Sequence, residues 1–588
     1  MPYYPTLSEQ QTTRLMTDTF YGYNHQQKIG DGEMYDEMNL SARNYPLLST
    51  RKPRKKLQDL TNPQGIIAKE YLAYVDDGTL YYNGSATDVD DLSEGEKQLV
   101  SMGAYILIFP DKKYYNTSNA NDYGDIEASY TSSNTVTFQL CTITGIGITP
   151  DYVQSTEPSN PQNGEYWIDT SGNIHGLYVY TEQLKQWSSV GTCYTKIIFG
   201  TRGQLPFSVN DGITISGAEY SGANPAVAEQ IAEINGSKVI YGAGGSASED
   251  DYIIVIGLLD EVVTQSTAIE ITREVPDMDY VCEANNRIWG CYYGTKDGVT
   301  LNEIYCCALG DFKNWNQFLG LSTDSYVASV GSDGKWTGAV NYLGYPSFFK
   351  EKSLHRVSVS SVGAHQITET PLRGVQDGSW KSLTVVNEVL YYKGVTDVMA
   401  YQGSFPESIS KSLGDEKYSE AIGEAFGDVY YLSMKDSDNN RVLFTYDADK
   451  GLWHKEDDLN VIDFVKQSDT LYAMTNNELL EINPDDGTET VQWYAETGMI
   501  GYEYPDNKYL SRFNVRFSMD PGSWINVYIE YDSSGNFILV GHITIAKTGS
   551  VTLPIRARRC DHMRLKLEGS GNAKIYSIAK VLEIGSDY

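Results

Sequence analysis

Basic residues are scarce in this sequence. Its 588 residues include 45 Lys and Arg against 78 Asp and Glu, which gives a formal net charge of −33 at pH 7. Proteins that hold nucleic acid by its backbone neutralise the phosphates with Lys and Arg. The composition therefore excludes tight phosphate binding over most of the surface. It does not exclude DNA as a neighbour, because a repelling wall lets a polyanion slide past without sticking.

The sequence also has few cysteines and no long apolar run. The longest clearly apolar stretch, Tyr252–Leu259, is too short to span a bilayer. The first residues, MPYYPTLSEQQTTRL, have no basic segment followed by an apolar core, as a signal peptide would. We therefore expect a soluble protein made in a cytoplasm. Seven cysteines are an odd number for a disulfide framework, and we interpret them as free, buried thiols.

Motifs of catalytic and metal sites are missing. The chain has no G-x-x-x-x-G-K-[ST], H-E-x-x-H or G-x-S-x-G sequence. Cys560 and His562 would share one face of a strand, but structural zinc sites have two such pairs. We predict no enzymatic activity and no cofactor.

One segment partly matches a calcium-binding loop. Asp436, Asp438 and Asn440 take positions 1, 3 and 5, and Asp447 takes position 12. Arg441 stands where that loop needs glycine, and the residues after it alternate as in a strand. A hairpin turn is favoured, and calcium binding is left open.

What the sequence has in abundance is tyrosine and glycine, 46 and 53 residues. Tyrosine suits half-exposed strands and glycine suits tight turns, so the composition favours an all-β protein. Hairpin patterns recur, and those that start at Glu388, Asp428 and Leu471 lie 40 and 43 residues apart. Short strands repeated at this period are typical of a β-propeller. We predict a degenerate propeller.

Changes in the residue pattern along the chain divide it into five parts. An irregular segment of many aromatics precedes the first hairpins, a looser region interrupts the propeller, and longer alternating strands at the end predict a β-sandwich. The predicted parts are an N-terminal strap at 1–60, first propeller hairpins at 61–118, an insertion at 119–280 with a small β module at 158–190, the remaining blades at 281–490, and the sandwich at 491–588.

Two tryptophans follow charged turns in this pattern. Asp449 and Gly451 form a predicted turn before Trp453, and a Gly-Asp turn precedes Trp315. The first turn resembles the Asp box of sialidase-type propellers, but its spacing differs, and that motif is structural. We predict that both tryptophans pack between neighbouring blades.

One dense positive patch stands out in this acidic chain. It is the run RKPRKK, with Arg51, Lys52, Arg54, Lys55 and Lys56. It could be a solvated loop, or it could contact DNA phosphates or an acidic protein surface. We favour an acidic surface, on this chain, on a neighbouring copy or on another protein, and treat the five residues as candidate assembly contacts.

Several short aromatic motifs resemble those of tail nozzle proteins of short-tailed bacteriophages, also called tail hub or packaged-DNA-stabilisation proteins. That family has an NNRLW strand, a GDPxxW turn, an FFK strand, a G…GS step and a GVYAYDG-like hairpin. The matching positions here are Asn285–Trp289, Gly310–Trp315, Phe348–Lys350, Gly374–Ser379 and Gly394–Gly403. The likeness covers residues 281–420 well and the flanks loosely, and the module at 158–190 is outside it.

The resemblance implies a virion tail protein that is assembled in the host cytoplasm. It implies a propeller-based ring of six subunits below the portal and adaptor, around the DNA exit channel, with no enzymatic activity and no sequence-specific DNA binding. We expect an acidic lumen. Two alternatives stay open: a receptor-binding protein whose Trp167 and Trp187 stack on sugars, and a glycan-active propeller enzyme.

Overall fold

The computed structural model describes residues 11–296, 298–360 and 363–585. Strands dominate it, and these residues contain one α-helix, α1 (Pro225–Ala232). No helix in the described ranges is long and apolar enough to cross a membrane. The chain divides into two compact units, which are described separately. The first holds residues up to 99, 334–357 and from 367 on, and the second holds 100–333 and 358–366.

The N-terminal strap contains short strands, which its irregular sequence did not predict. They are β1 (Gln11–Thr17), β2 (Met34–Met38) and β3 (Leu48–Ser49). Between them the strap is irregular and covers other parts of the first unit with its aromatic side chains. Phe20 joins the core of the C-terminal sandwich. The backbone N–H of Tyr23 donates to the carbonyl of Trp453 at 2.7 Å.

Two four-stranded sheets follow, built from hairpins in the predicted places. After β4 (Lys55–Asp59), blade 1 consists of β5 (Pro63–Ala68), β6 (Leu72–Asp76), β7 (Thr79–Tyr82) and β8 (Ser85–Ala86); blade 2 consists of β9 (Gln98–Met102), β10 (Tyr105–Phe109), β11 (Lys113–Asn116) and β12 (Tyr123–Asp125). Blade 2 thus extends beyond the predicted boundary at residue 118. The turn between β6 and β7 has positive φ at both Asp77 and Gly78, as a two-residue hairpin turn that matches strand twist requires.

The insertion in the second unit is a two-sheet body with a small module. Its strands are β13 (Ala128–Thr131), β14 (Val136–Cys141), β15 (Tyr152–Gln154), β16 (Tyr166–Asp169), β17 (Gly176–Thr181), β18 (Gln186–Ser189), β19 (Tyr194–Ile198), β20 (Gly212–Ser216), β21 (Gly236–Val239), β22 (Gly242–Gly244), β23 (Tyr252–Ile256), β24 (Val263–Gln265) and β25 (Glu270–Arg273). The sheets β13-β25-β20-β21 and β22-β23-β19-β14-β24 enclose one apolar core with α1. The strands β15–β18 form a separate four-stranded sheet, the module sheet.

The remaining blades return after the insertion. Blade 3 is β26 (Tyr280–Glu283), β27 (Ile288–Lys296), β28 (Val299–Cys306) and β29 (Tyr326–Ser329); blade 4 is β30 (Gly338–Tyr342), β31 (Tyr345–Lys350), β32 (Ser353–Val359) and β33 (His365–Pro371); blade 5 is β34 (Thr384–Val386), β35 (Val389–Lys393), β36 (Val398–Tyr401) and β37 (Glu407–Ser408); blade 6 is β38 (Ser419–Phe426), β39 (Val429–Lys435), β40 (Arg441–Asp447) and β41 (Leu452–Lys455); blade 7 is β42 (Val461–Gln467), β43 (Thr470–Thr475) and β44 (Glu478–Glu481), completed by β4.

Consecutive blades pack against each other within each unit. In the first unit, apolar clusters join blades 4 and 5, 5 and 6, 6 and 7, and 7 and 1. In the second unit, a cluster joins blades 2 and 3. Four-stranded sheets that follow one another and pack on their neighbours are the blades of a propeller. The protein is a degenerate β-propeller with an inserted β region, an N-terminal strap and a C-terminal β-sandwich.

The sandwich consists of two five-stranded sheets that share one core. Its C-terminal strands are β45 (Gln492–Thr497), β46 (Lys508–Met519), β47 (Trp524–Tyr531), β48 (Ile538–Ile543), β49 (Gly549–Leu553), β50 (Met563–Ser570) and β51 (Ala573–Ile584). The strap supplies the rest, with β1 and β3 on β51 and β2 on β45. Alternate residues of β46, from Phe513 to Met519, point into the core, as the strand period of two predicts.

Candidate functional site

The two arginines of the basic run lie in a buried charge cluster of the first unit. The guanidinium of Arg54 contacts Glu456 at 2.8 Å and Asp457 at 2.6 Å. Arg51 makes two hydrogen bonds to Glu489, at 2.7 and 2.8 Å, and also contacts Asp457 at 3.3 Å. Both arginines and Glu456 are almost completely buried. The cluster joins the end of the strap to the end of blade 6 and to the segment before the sandwich.

Electrostatics in this cluster favour the charged forms. Burial alone lowers the pKa of Arg54, but Asp457 and Glu456 outweigh burial and raise it above the ordinary arginine value. Burial likewise raises the pKa of Asp457, but Arg54 and then Arg51 overcome that effect and lower it. The pKa of Glu489 is lowered in the same way, against burial, mainly by Arg51. Each charge in the cluster is therefore compensated by its neighbours.

The three lysines of the run are paired too, at the surface. Lys52 contacts Asp485 at 2.7 Å, Lys55 contacts Asp486 at 2.5 Å, and Lys56 contacts Asp59 at 2.6 Å and Glu478 at 2.9 Å. Their acidic partners belong to the same chain. A role of the five cations in contacts between copies stays a prediction. Within the chain, the positive run from Arg51 to Lys56 is neutralised by carboxylates of the same chain.

Trp453 lies between blades 5 and 6. Its indole Nε1 donates to the carbonyl oxygen of Ile409 at 2.7 Å, and the side chain is 2% exposed. The turn before it is closed by a hydrogen bond from the N–H of Gly451, which has φ +68°, to the carbonyl of Asp447 at 2.8 Å. Asp449 stands at the exposed tip of this turn. The turn thus aims the tryptophan into the space between two blades.

Trp315 has an equivalent place in the second unit. It belongs to the apolar cluster that contains Phe109 of blade 2 and Ile288 of blade 3. Its Nε1 donates to the carbonyl of Phe312 at 2.7 Å. The side chain is 6% exposed, so its contribution is to packing.

The candidate metal-binding residues make other contacts. Asp436 accepts hydrogen bonds from the N–H groups of Asp438 and Asn440, which closes the hairpin turn between β39 and β40. Burial raises the pKa of the Cys560 thiol to about 11. His562 lies within hydrogen-bond distance of Ser533 at 2.7 Å. Among the residues that the structure describes, no group of three or more His, Cys, Asp or Glu side chains could hold a metal ion.

Sequence reasoning missed a polar cleft in the second unit. It has a volume of about 1030 Å³ and an aromatic wall that includes Tyr105 and Phe312. Two of its lining residues, Arg273 and Asp211, form a buried ion pair at 2.6 Å. Burial, with Asp211 nearby, raises the pKa of Asp311. The lining residues come from blade 2, the insertion and blade 3, so no single sequence motif predicts the cleft.

Comparisons with known proteins give little beyond the architecture. No protein-family profile and no curated protein matches the chain. Similar solved structures include the extracellular domain of a hybrid two-component system from B. thetaiotaomicron, with 9% identity over 92% of this chain and 93% of that one and a TM-score of 0.24. PorZ, a surface component of the type-IX secretion system of Porphyromonas gingivalis, matches with 10% identity over 88% of this chain and 77% of its own, at a TM-score of 0.25.

A structure titled glycoside hydrolase also matches, with 11% identity over 50% of this chain and 96% of its own, at a TM-score of 0.21. These neighbours are extracellular or surface proteins and a carbohydrate-active enzyme. At such TM-scores the likeness carries no argument about function.

Proposed function

We propose that the protein is a structural, non-catalytic component of a phage tail, a nozzle or hub whose copies form a ring around the DNA exit channel. The observation that carries this proposal is the neutralisation of the basic run by carboxylates of the same chain. The five cations of this run, which could have held phosphates, are already paired. The motifs of blades 3 to 5 that resemble nozzle proteins support the same proposal.

A conduit for DNA needs a surface that does not retain it. Each lysine or arginine that contacts a phosphate releases counterions and adds affinity, so a long DNA would be slowed at every such contact. This chain keeps a net charge of −33 after its cations are counted. In a symmetric ring, each copy would present the same acidic surface to the axis. The proposed role is to retain the packaged DNA and conduct it during ejection, in contact with portal, adaptor and other tail proteins.

Imaging of the purified protein tests the proposed assembly. Negative-stain images should show closed rings, and we expect six copies in each. A structure of the assembled ring should show an acidic lumen. Trimers that bind cells would instead favour the receptor-binding alternative, and hydrolysis of a glycan would favour the enzyme. A lumen lined by lysine and arginine would refute the proposed conduit.

Retention of DNA tests the charge argument with a matched pair of variants. The double change Asp485→Asn and Asp486→Asn frees Lys52 and Lys55, and it should produce weak retention of duplex DNA in a gel-shift assay at about 50 mM salt. The control changes Asp88→Asn and Asp90→Asn shift the net charge equally at exposed carboxylates for which the described structure shows no ion pair. The unaltered protein and the control should retain no DNA; tight binding by the unaltered protein would contradict the proposal.

A further inference from the structure

The module sheet has one face made of aromatic rings. Trp167 lies opposite Tyr152 on one side and Tyr178 on the other, so the three side chains point to the same face. Tyr180 is two residues after Tyr178, and it lies opposite Trp187. Because strand residues alternate between faces, these five rings share one side of a four-stranded sheet. We call them the aromatic face.

The other side of the module sheet accounts for its attachment to the insertion. Ile168 and Leu177 lie opposite each other there and pack with Leu140 and Ile148 in a small apolar core. The module therefore has an apolar core without the aromatic face. A second apolar layer on the far side is not needed to hold the sheet in place.

The five rings form a contiguous and partly open surface. Trp187 contacts Tyr152, Trp167 and Tyr180 with ring centroids 5.4–6.2 Å apart, and Trp167 stacks on Tyr178 at 5.2 Å. Trp167 is buried, but the other four rings are half-buried. Contiguous exposed apolar surface of this kind is typical of interaction sites.

One polar atom in the aromatic face has no partner. The Nε1 of Trp187 is buried and lacks a hydrogen-bond acceptor among the described residues, whereas the Nε1 of Trp167 donates to the carbonyl of Gln154 at 2.9 Å. A buried indole N–H normally finds an acceptor. The rim of the face carries the carboxylate of Glu165, which accepts a hydrogen bond from the hydroxyl of Tyr152 at 3.1 Å.

We propose that the aromatic face binds a carbohydrate chain of β-1,4-linked hexopyranose units. Such a chain is a flat ribbon whose sugar rings show axial C–H groups on their faces and hydroxyl groups at their edges. The faces suit stacking on the half-buried rings, and an edge hydroxyl can donate to the carboxylate of Glu165 beside Tyr152. Binding sites of this type combine aromatic walls with a few placed polar groups.

Charge argues against nucleic acid as the occupant. Proteins also stack bases on aromatic side chains, but they combine this stacking with cations that track the phosphates. Between Tyr152 and Ser189 the chain has one cation, Lys185, against four carboxylates. A neutral ligand with hydroxyl groups fits this surface better than a polyanion. This inference is independent of the proposed tail role, since rings could form whether or not the module binds sugar.

Binding of soluble oligosaccharides to the full-length protein tests the inference. Cellohexaose and chitohexaose are titrated and followed by calorimetry, with maltohexaose as an α-linked control of different shape. We expect saturable binding of at least one β-linked hexasaccharide and weaker binding of maltohexaose. No binding of either β-linked probe at about 5 mM, which corresponds to a free energy weaker than about −3 kcal/mol, would overturn the proposal.

Variants place the binding on the aromatic face. Tyr180→Ala should weaken binding at least about tenfold, or about 1.4 kcal/mol, and Trp187→Leu should do the same while it still fills apolar space. Tyr180→Phe keeps the ring and should bind nearly as the unaltered protein does. The control Phe405→Ala removes an aromatic side chain that is 74% exposed elsewhere. If Tyr180→Ala left binding unchanged, or Phe405→Ala abolished it, the aromatic face would not be the site.

Discussion

Arg54 offers the sharpest test of how the basic run stabilises the first unit. The change Arg54→Met keeps much of the side-chain length and removes the charge. It takes away contacts of 2.8 Å to Glu456 and 2.6 Å to Asp457. Glu456 is then left 3% exposed, with only a 3.7 Å contact to Arg51.

The magnitude follows from what stays behind. At an effective dielectric constant of about 20, each contact near 2.7 Å is worth about 6 kcal/mol of Coulomb attraction. Much of the lost attraction is offset, because the variant has no guanidinium that must be desolvated on folding. Removing one partner of a buried pair still costs about 3–5 kcal/mol, since the other charge stays buried and uncompensated. We expect Arg54→Met to lower the free energy of unfolding of the first unit by that amount.

The assay is urea unfolding of the full-length protein, with hydrogen exchange in β4 as a local readout. Lys56→Met is the matched control, because Lys56 lies two residues after Arg54 but is 45% exposed, and its solvent-screened pairs should contribute little to stability. Adding Glu456→Gln to Arg54→Met should recover part of the loss. Equal destabilisation by Arg54→Met and Lys56→Met would refute the reasoning.

Other perturbations test the same structure. The pKa values of Asp457 and Glu489 are lowered in the fold from ordinary values of 3.8 and 4.5. Their contribution to stability is therefore fully present only above those ordinary values and is lost as pH falls through the lowered ones; the melting temperature should drop as pH falls below about 4.5, and less so in Arg54→Met. Trp453→Ala should cost about 3–5 kcal/mol through the cavity it leaves between blades, measured by urea unfolding, and a cost below about 1 kcal/mol would contradict its place in the core. Trp315→Ala should have a similar effect, visible as faster proteolysis of the second unit. Deletion of residues 1–56 should impair ring formation and attachment, and it should also expose the sandwich core because β1, β2 and β3 are lost; normal assembly of the truncated protein would show that the strap is dispensable.

Hairpins with a strong local code could be predicted from the sequence. The pairs β6–β7, β10–β11 and β39–β40 lie where alternating residues and turn residues placed them, and the tryptophan turns point into blade interfaces. These features depend on neighbours a few residues away. The strands of the strap could not be predicted in this way. The sequence of β1 is largely polar and half-exposed, and its strand conformation depends on pairing with β51.

The candidate sites were less predictable because they depend on distant partners. The charges from Arg51 to Lys56 are evident in the sequence, but all their carboxylate partners except Asp59 lie more than 400 residues further along the chain. The aromatic face needed strand register, since Tyr152 and Trp187 share a side only once the order of β15–β18 is known. The cleft around Asp211 combines three segments, none of which has a motif.

The pairing of the first strands with the last has a consequence for synthesis. Thr12 and Glu583, which contact each other across β1 and β51, are 571 residues apart in the chain. At about 5–20 residues per second, a ribosome needs on the order of 30 s to 2 min to make β51 after it has made β1. During that time the strap residues that pack in the sandwich core, such as Phe20, lack their native partners. A polypeptide released early would lack β51 altogether, so prematurely terminated chains should aggregate or be degraded before they can enter an assembly, which amounts to a quality check on full-length translation.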